Sequence, residues 1–233
     1  MEHFNWTQLI PGVGHEYVHV ATLVCVSIFI ILLSLAARIA LGSGEKSIEP
    51  AGRFSLKGMC ELITEFIVDQ VDAIIGKKGR PLVPLYGSIF IFIVMNNMAG
   101  LLPGMTPSTS NFNTTIALGI FSFCLYNYLG LKEGGVSYLK HFLGPIWWLA
   151  PLMVIIELLS HFFRPLTLGI RLGANMIGDH QVLSTFLDMT GYIPVSIIFY
   201  GFGLFVCLIQ AYVFVLLSMI YVSMATEHEH EHH

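Results

Sequence analysis

Residues 142–187 read FLGPIWWLAPLMVIIELLSHFFRPLTLGIRLGANMIGDHQVLSTFL, an apolar run with Glu157, His161, Arg164, Arg171, Asp179 and His180 in its interior. A bilayer's hydrocarbon core takes about 20 helical residues in a perpendicular crossing, so this longer segment is expected to tilt. An Arg or Asp at mid-span costs about 2.5–3.5 kcal/mol on the insertion scale unless paired or hydrated. Charges retained at that cost mark the segment as the functional part of the chain.

At helical spacing, Glu157, His161, Arg164, Leu168, Arg171, Asn175 and Asp179 recur every three or four residues and fall on one face, with Pro165 as a break that shifts the phase before it. The stripe rises about 33 Å, roughly one hydrocarbon thickness, and is expected to line a path across the membrane. Gly169, Gly173, Ala174 and Gly178 between these positions are expected to let a neighbouring helix approach closely. His180 lies half a turn from Arg171 and must look elsewhere. The expected neighbour is the last helix, where Gly203 and Gln210 share a face and Gly203 leaves room for an imidazole.

Outward from this segment, the chain keeps the same solvent. Hydrophobic residues make up 55% and charged residues 11%, and the mean hydropathy is +0.74. These values exclude an ordinary soluble domain, and segregated charge argues against a nucleic-acid partner. Apolar runs at 20–41, 82–102, 114–131, 142–187 and 193–224 give about five crossings, all helical because alternating barrel strands are absent. The fold class expected is an all-α membrane protein, one domain over 1–233, whose last two helices form a long tilted hairpin.

The segment at 53–76 is helical in period but too polar to cross. Leu62, Phe66 and Val71 group away from Glu61, Glu65, Asp69 and Asp72, which predicts an amphipathic helix on the membrane surface or packed on the spans. Lys46, Arg53, Lys57, Lys77, Lys78 and Arg80 hold most of the basic residues. The positive-inside rule therefore places this side in the cytoplasm, the N-terminus outside and the C-terminus in the cytoplasm. Residues 1–18 lack the basic start of a signal peptide. Cys25, Cys60, Cys124 and Cys207 show no paired spacing, and the His-rich and Glu-rich tail reads as solvated, so neither metal nor cofactor is expected.

At RPLTLGIRLGANMIGDHQVL (164–183) the chain resembles subunit a of bacterial F-type ATP synthases, whose pattern here is Arg-Leu-x-x-Asn on a long tilted helix. The likeness continues in IVMNNMAGLLP (93–103), NTTIALGIF (113–121) and LIQAYVFVLLSMIYVSMA (208–225). The resemblance implies a stator subunit of the membrane Fo sector in the bacterial inner membrane, not catalytic alone. Its implied partners are the c-subunit ring, peripheral-stalk b subunits and, indirectly, the F1 sector.

By the same resemblance Arg171 faces the c-subunit carboxylate. Asn175, Thr167 and Glu157 match the cytoplasmic proton pathway, Asn97 a polar position on the hairpin, His180 a Glu or His of the outer half-channel, and Gln210 the glutamine near the arginine. Two positions depart from the pattern: Asp179 stands where Gly is usual, and Gly203 where some members carry His or Glu. Asp179 and His180 are expected to act together as the relay. The alternative is another ion or solute transporter using the charged helix, which predicts inverted repeats and interrupted helices that the sequence does not offer. A haem-carrying anchor needs His on facing helices, whereas His161 and His180 share one.

Overall fold

The computed structural model of the protein describes residues 17–41, 55–102, 104–141, 150–190 and 195–226. They form six α-helices and two short 3-10 turns, with no strand among the described residues. The helices are α1 (Val18–Leu41), α2 (Leu56–Ile74), α3 (Val83–Ala99), α4 (Phe112–His141), α5 (Ala150–Thr190) and α6 (Val195–Thr226). Five segments are long and apolar enough to cross a membrane: Val18–Ile39, Lys77–Ala99, Phe112–Glu133, Leu152–Phe186 and Ile197–Thr226. All five expected crossings are present, although residues 142–149 and 193–194 of their predicted ranges lie outside the described residues.

α1 packs on α2, α3 and the Ser108–Ser110 turn through a narrow seam in which Thr22, Val26 and Ala37 are buried. Its Ile28, Phe29, Leu32 and Leu35 stay exposed, as befits a helix whose surroundings are as apolar as its side chains.

α2 opens at Ser55, whose hydroxyl accepts a hydrogen bond from the Gly58 N–H at 3.1 Å, satisfying one of the orphan donors of a helix start. It closes before Gly76, whose φ of 83° lies in a region that a β-carbon strains. Its buried seam is Ile67 and Val71, not the predicted group of Leu62, Phe66 and Val71: Leu62 is 70% exposed. Phe66 sits on the flank, its ring 6.0 Å from Phe90 and 5.7 Å from Tyr212. A helix at a membrane boundary has two apolar surroundings, protein and lipid, so its apolar residues do not all point one way. The helix is packed on the bundle: the Ser223 hydroxyl donates to the Ile74 carbonyl at 2.8 Å. At the α2–α3 corner Arg80 grips Asp72 through Nη2–Oδ2 at 2.7 Å and Nε–Oδ1 at 3.1 Å. The hydrogen bond from Arg80, aided by the Arg80 and Lys77 charges, holds the Asp72 carboxyl below its ordinary range.

Past α3, the uncharged segment folds back into the bundle and does not loop into water. The Ser108 hydroxyl donates to Asn96 Oδ1 at 2.6 Å and the Thr109 hydroxyl to Asn97 Oδ1 at 2.7 Å. All four residues are buried, so two adjacent amides at the end of α3 satisfy the hydroxyls that burial would otherwise strand. Beyond its crossing, α4 is interrupted at Gly135, which adopts φ 51°.

α4 and α5 touch backbone to backbone. A β-carbon on Gly119 would collide with the Pro165 carbonyl oxygen, and one on Gly169 would lie 2.7 Å from the Thr115 carbonyl oxygen. Only Gly169 and Gly173 of the four predicted small residues serve this contact: Ala174 is exposed and Gly178 faces open space. α5 runs unbroken through Pro165. Leu168, Leu172 and Met176 turn inward to meet Ala211, Phe214 and Met219 of α6 in the core. The Ser122 and Ser218 hydroxyls, 2.6 Å apart and buried, join α4 to α6, and Phe186 stacks on Phe199 at 4.0 Å near the turn of the α5–α6 hairpin. The Leu152–Phe186 span has 35 residues, about 52 Å of helix against a hydrocarbon core of about 30 Å, more than a perpendicular crossing needs.

Candidate functional site

The polar stripe of α5 is present, but it runs along the border of the helix's buried face and does not line a single surface. His161 and Leu168 turn inward, Glu157, Arg164 and Asp179 are half-buried, and Arg171 and Asn175 are exposed. The stripe thereby divides into three groups, each completed by residues of other helices.

The first group is centred on Arg171. Its neighbour Leu172 is fully buried, and helical geometry turns Arg171 about 100° away from it, out of the bundle. Thr167 lies one turn before it and Asn175 one turn after, on the same exposed face. The Thr167 hydroxyl donates to the Arg164 carbonyl at 3.0 Å. Asn175 Nδ2 donates to Oε1 of the buried Gln210 on α6 at 2.7 Å, so the expected glutamine is joined to this strip through Asn175. Among the described residues no carboxylate lies within ion-pair reach of Arg171.

The second group surrounds a cavity between α3, α5 and the segment after α3, lined by Asn97, Pro107, Met176, Asp179, His180 and Leu183 among others. It leaves about 10 Å³ for the centre of a water-sized sphere, about what one water molecule needs. Asn97 is 2% exposed. Its Nδ2 has no hydrogen-bond partner among the described residues, while its Oδ1 is taken by Thr109. The space at Gly203 is filled otherwise than expected. A β-carbon there would lie 3.3 Å from Asp179 Oδ2 and 2.7 Å from Leu101 Cδ2, so the carboxylate of Asp179 faces Gly203 while the imidazole of His180 lines the cavity. The two flank the direction of the inward Met176, Asp179 about 60° to one side of it and His180 about 40° to the other.

The third group lies nearer the start of α5. Glu157 Oε1 is 3.6 Å from Arg164 Nη2, and the Arg164 guanidinium stands 5.7 Å above the Tyr221 ring of α6. Between them, His161 is buried against α4, its Nε2 2.9 Å from Asn127 Oδ1 and its Nδ1 3.1 Å from the Tyr126 hydroxyl. Phe123 packs edge-on to the imidazole at 5.0 Å. Tyr126, Asn127 and Tyr221 are absent from the sequence-derived set. The signal for the first two is a tyrosine and an amide side by side in the apolar run at 114–131, where polar groups need partners.

Together these features define a polytopic helical membrane protein that holds a guanidinium, unneutralised among the described residues, on the exposed face of an overlong span, with polar groups on either side of it along the helix. Residues 18–223 match the family model described as ATP synthase A chain. The chain is 53% identical over 228 residues to ATP synthase subunit a of Bdellovibrio bacteriovorus, covering 97% of this chain and 99% of that one. It is 40% identical to ATP synthase subunit a of Geobacter sulfurreducens, over 75% of this chain and 76% of the relative. Identity to that of Desulfosudis oleivorans is 34%, over 99% and 100%. The chain belongs to the ATP synthase A chain family.

Proposed function

We propose that the chain is the membrane stator subunit of an Fo sector, carrying protons through two aqueous half-channels to and from the carboxylates of a rotating c-subunit ring. The observation that carries this reading is the exposure of Arg171 without a counter-ion among the described residues, in contrast to Arg164, which has Glu157. A charge at mid-span without such a neighbour calls for an anionic partner from outside, and a passing carboxylate supplies it. Arginine suits the task because it stays protonated: it lowers the cost of the ionised carboxylate and cannot itself pass a proton straight between the half-channels.

On the outer side, Asp179 and His180 act as the relay, with Asn97 across the cavity as a hydrogen-bond donor to a transferred water. On the cytoplasmic side, Thr167, Asn175 and Gln210 extend from Arg171, and Glu157 stands at the exit. The N-terminus lies outside and the C-terminus in the cytoplasm of a bacterial inner membrane. The b subunits of the peripheral stalk hold the chain against the ring, and the F1 sector performs the bond chemistry. The test is Arg171→Ala in the whole complex. ATP-driven acidification of inverted vesicles is lost at unchanged subunit content; pumping at the normal rate would refute the reading.

A further inference from the structure

α5 has one turn that its own backbone does not hold. Pro165 has no N–H, so the carbonyl four residues earlier, that of His161, lacks its helical donor, and the helix is weakest between His161 and Pro165. The side chain of His161 is fastened to α4 at this turn. Asn127 Nδ2 donates to the Phe123 carbonyl at 2.8 Å, which leaves Asn127 Oδ1 as the atom 2.9 Å from His161 Nε2. A carbonyl oxygen accepts, so Nε2 carries the proton; in the neutral ring Nδ1 is then the acceptor, and of the two ring nitrogens it is the nearer to the Tyr126 hydroxyl, at 3.1 Å against 3.3 Å for Nε2. The fastening suits neutral imidazole with its proton on Nε2.

A second proton on the ring turns Nδ1 into a donor, so the Tyr126 hydroxyl loses the acceptor it serves. It also places a cation in a side chain 8% exposed, one turn from the Arg164 guanidinium. The charged and titratable groups around it are Glu157 and Arg164 on α5, Tyr126 on α4 and, beyond them, Tyr221 on α6, which lies 6.1 Å from Tyr126 ring to ring. Only Glu157 favours the imidazolium, and Glu157 is already engaged with Arg164.

We propose that His161 is the positioning residue of the cytoplasmic proton exit: neutral, it pins the proline-weakened turn of α5 to α4 and holds Glu157 and Arg164 in register with Arg171; protonated, it releases them and slows conduction. This rests on the proton-exit reading above. His161 passes no proton to the ring itself.

The experiment measures passive proton conductance, driven by a potassium diffusion potential, in inverted membranes stripped of the water-soluble sector. The cytoplasmic face then meets the outer buffer, whose pH is varied from 8 to about 5.5, across the histidine range. His161→Gln keeps an amide donor toward Asn127 but does not titrate. The ratio of wild-type to His161→Gln conductance is expected near one at pH 8 and to fall about tenfold per pH unit below its midpoint, the behaviour of a single group. Tyr126→Phe removes the donor that serves the neutral ring and moves the midpoint to higher pH. A ratio constant across the range, or an unmoved midpoint in Tyr126→Phe, overturns the proposal. Should immunoblots show that His161→Gln fails to assemble, the Tyr126→Phe midpoint alone decides. Arg171→Ala in inverted membranes that keep the water-soluble sector separates the two readings, since ATP-driven pumping that survives it refutes the stator reading whatever the His161 variants do.

Discussion

Alanine at Gly169 offers a direct measure of how closely α4 and α5 must approach for Arg171 to be placed. Its β-carbon would sit 2.7 Å from the Thr115 carbonyl oxygen and 2.9 Å from the Ile116 Cα, where ordinary contact begins at 3.4 Å. Both obstacles are backbone, so no side chain can swing aside and the helices must part by about 0.7 Å. Overpacking of this kind costs about 1–3 kcal/mol. Arg171 is two residues further along the same rod and moves with it, and misplacement of an acting group by about 1 Å costs up to about a hundredfold in rate. ATP-driven quenching of a pH-sensitive dye in inverted vesicles, at matched subunit content, should therefore fall by about one to two orders of magnitude in Gly169→Ala. Gly87→Ala on α3, whose β-carbon meets nothing within 4 Å, is the control and should leave pumping unchanged. Equal activity in the two variants would refute the contact argument.

The Asn175–Gln210 hydrogen bond should be worth about 0.6 kcal/mol, and at most about 1.7 kcal/mol, by the range found between membrane helices. A double-mutant cycle of Asn175→Leu and Gln210→Leu, read as resistance of the purified complex to denaturing detergent, measures it, and additivity would show the contact to be inert. At the α2–α3 corner the depressed pKa of Asp72 makes its ion pair with Arg80 stabilising above the ordinary carboxylate value of 3.8. That contribution is lost as pH falls through the lowered folded value. Hydrogen exchange in residues 72–82, corrected for intrinsic rate, should thus be faster in Asp72→Asn than in the parent at pH 7, and the gap should close in acid below the carboxylate range.

The crossings were legible because bilayer thickness is a length that a run of apolar residues either meets or does not. The five candidate spans overlap the five expected runs, although α4 continues to His141, past the expected end at 131. Direction around a helix is legible too: the period of α5 separates Arg171 from His180, as the structure has it. What the period does not carry is the identity of the neighbour in each direction. Hence Gly203 received the carboxylate of Asp179, and half of the small-residue seam turned out to border no other helix among the described residues. Leu62 and Phe66 of α2 were misplaced for a related reason, since hydropathy does not distinguish a protein core from lipid. Tyr126 and Asn127 lay outside the set because their contact with His161 joins two helices, a partnership that tertiary packing alone creates.

The slant of α5 sets a distance that no side chain specifies. A rod of about 52 Å whose ends both reached water across a layer about 30 Å thick would cover about 42 Å in the plane of the membrane. Water reached near one end is thus displaced sideways, by about four helix diameters, from water reached near the other. On the stator reading proposed above, an ion that enters at one end and leaves at the other is ferried laterally, and the ring carboxylates moving past Arg171 make that journey.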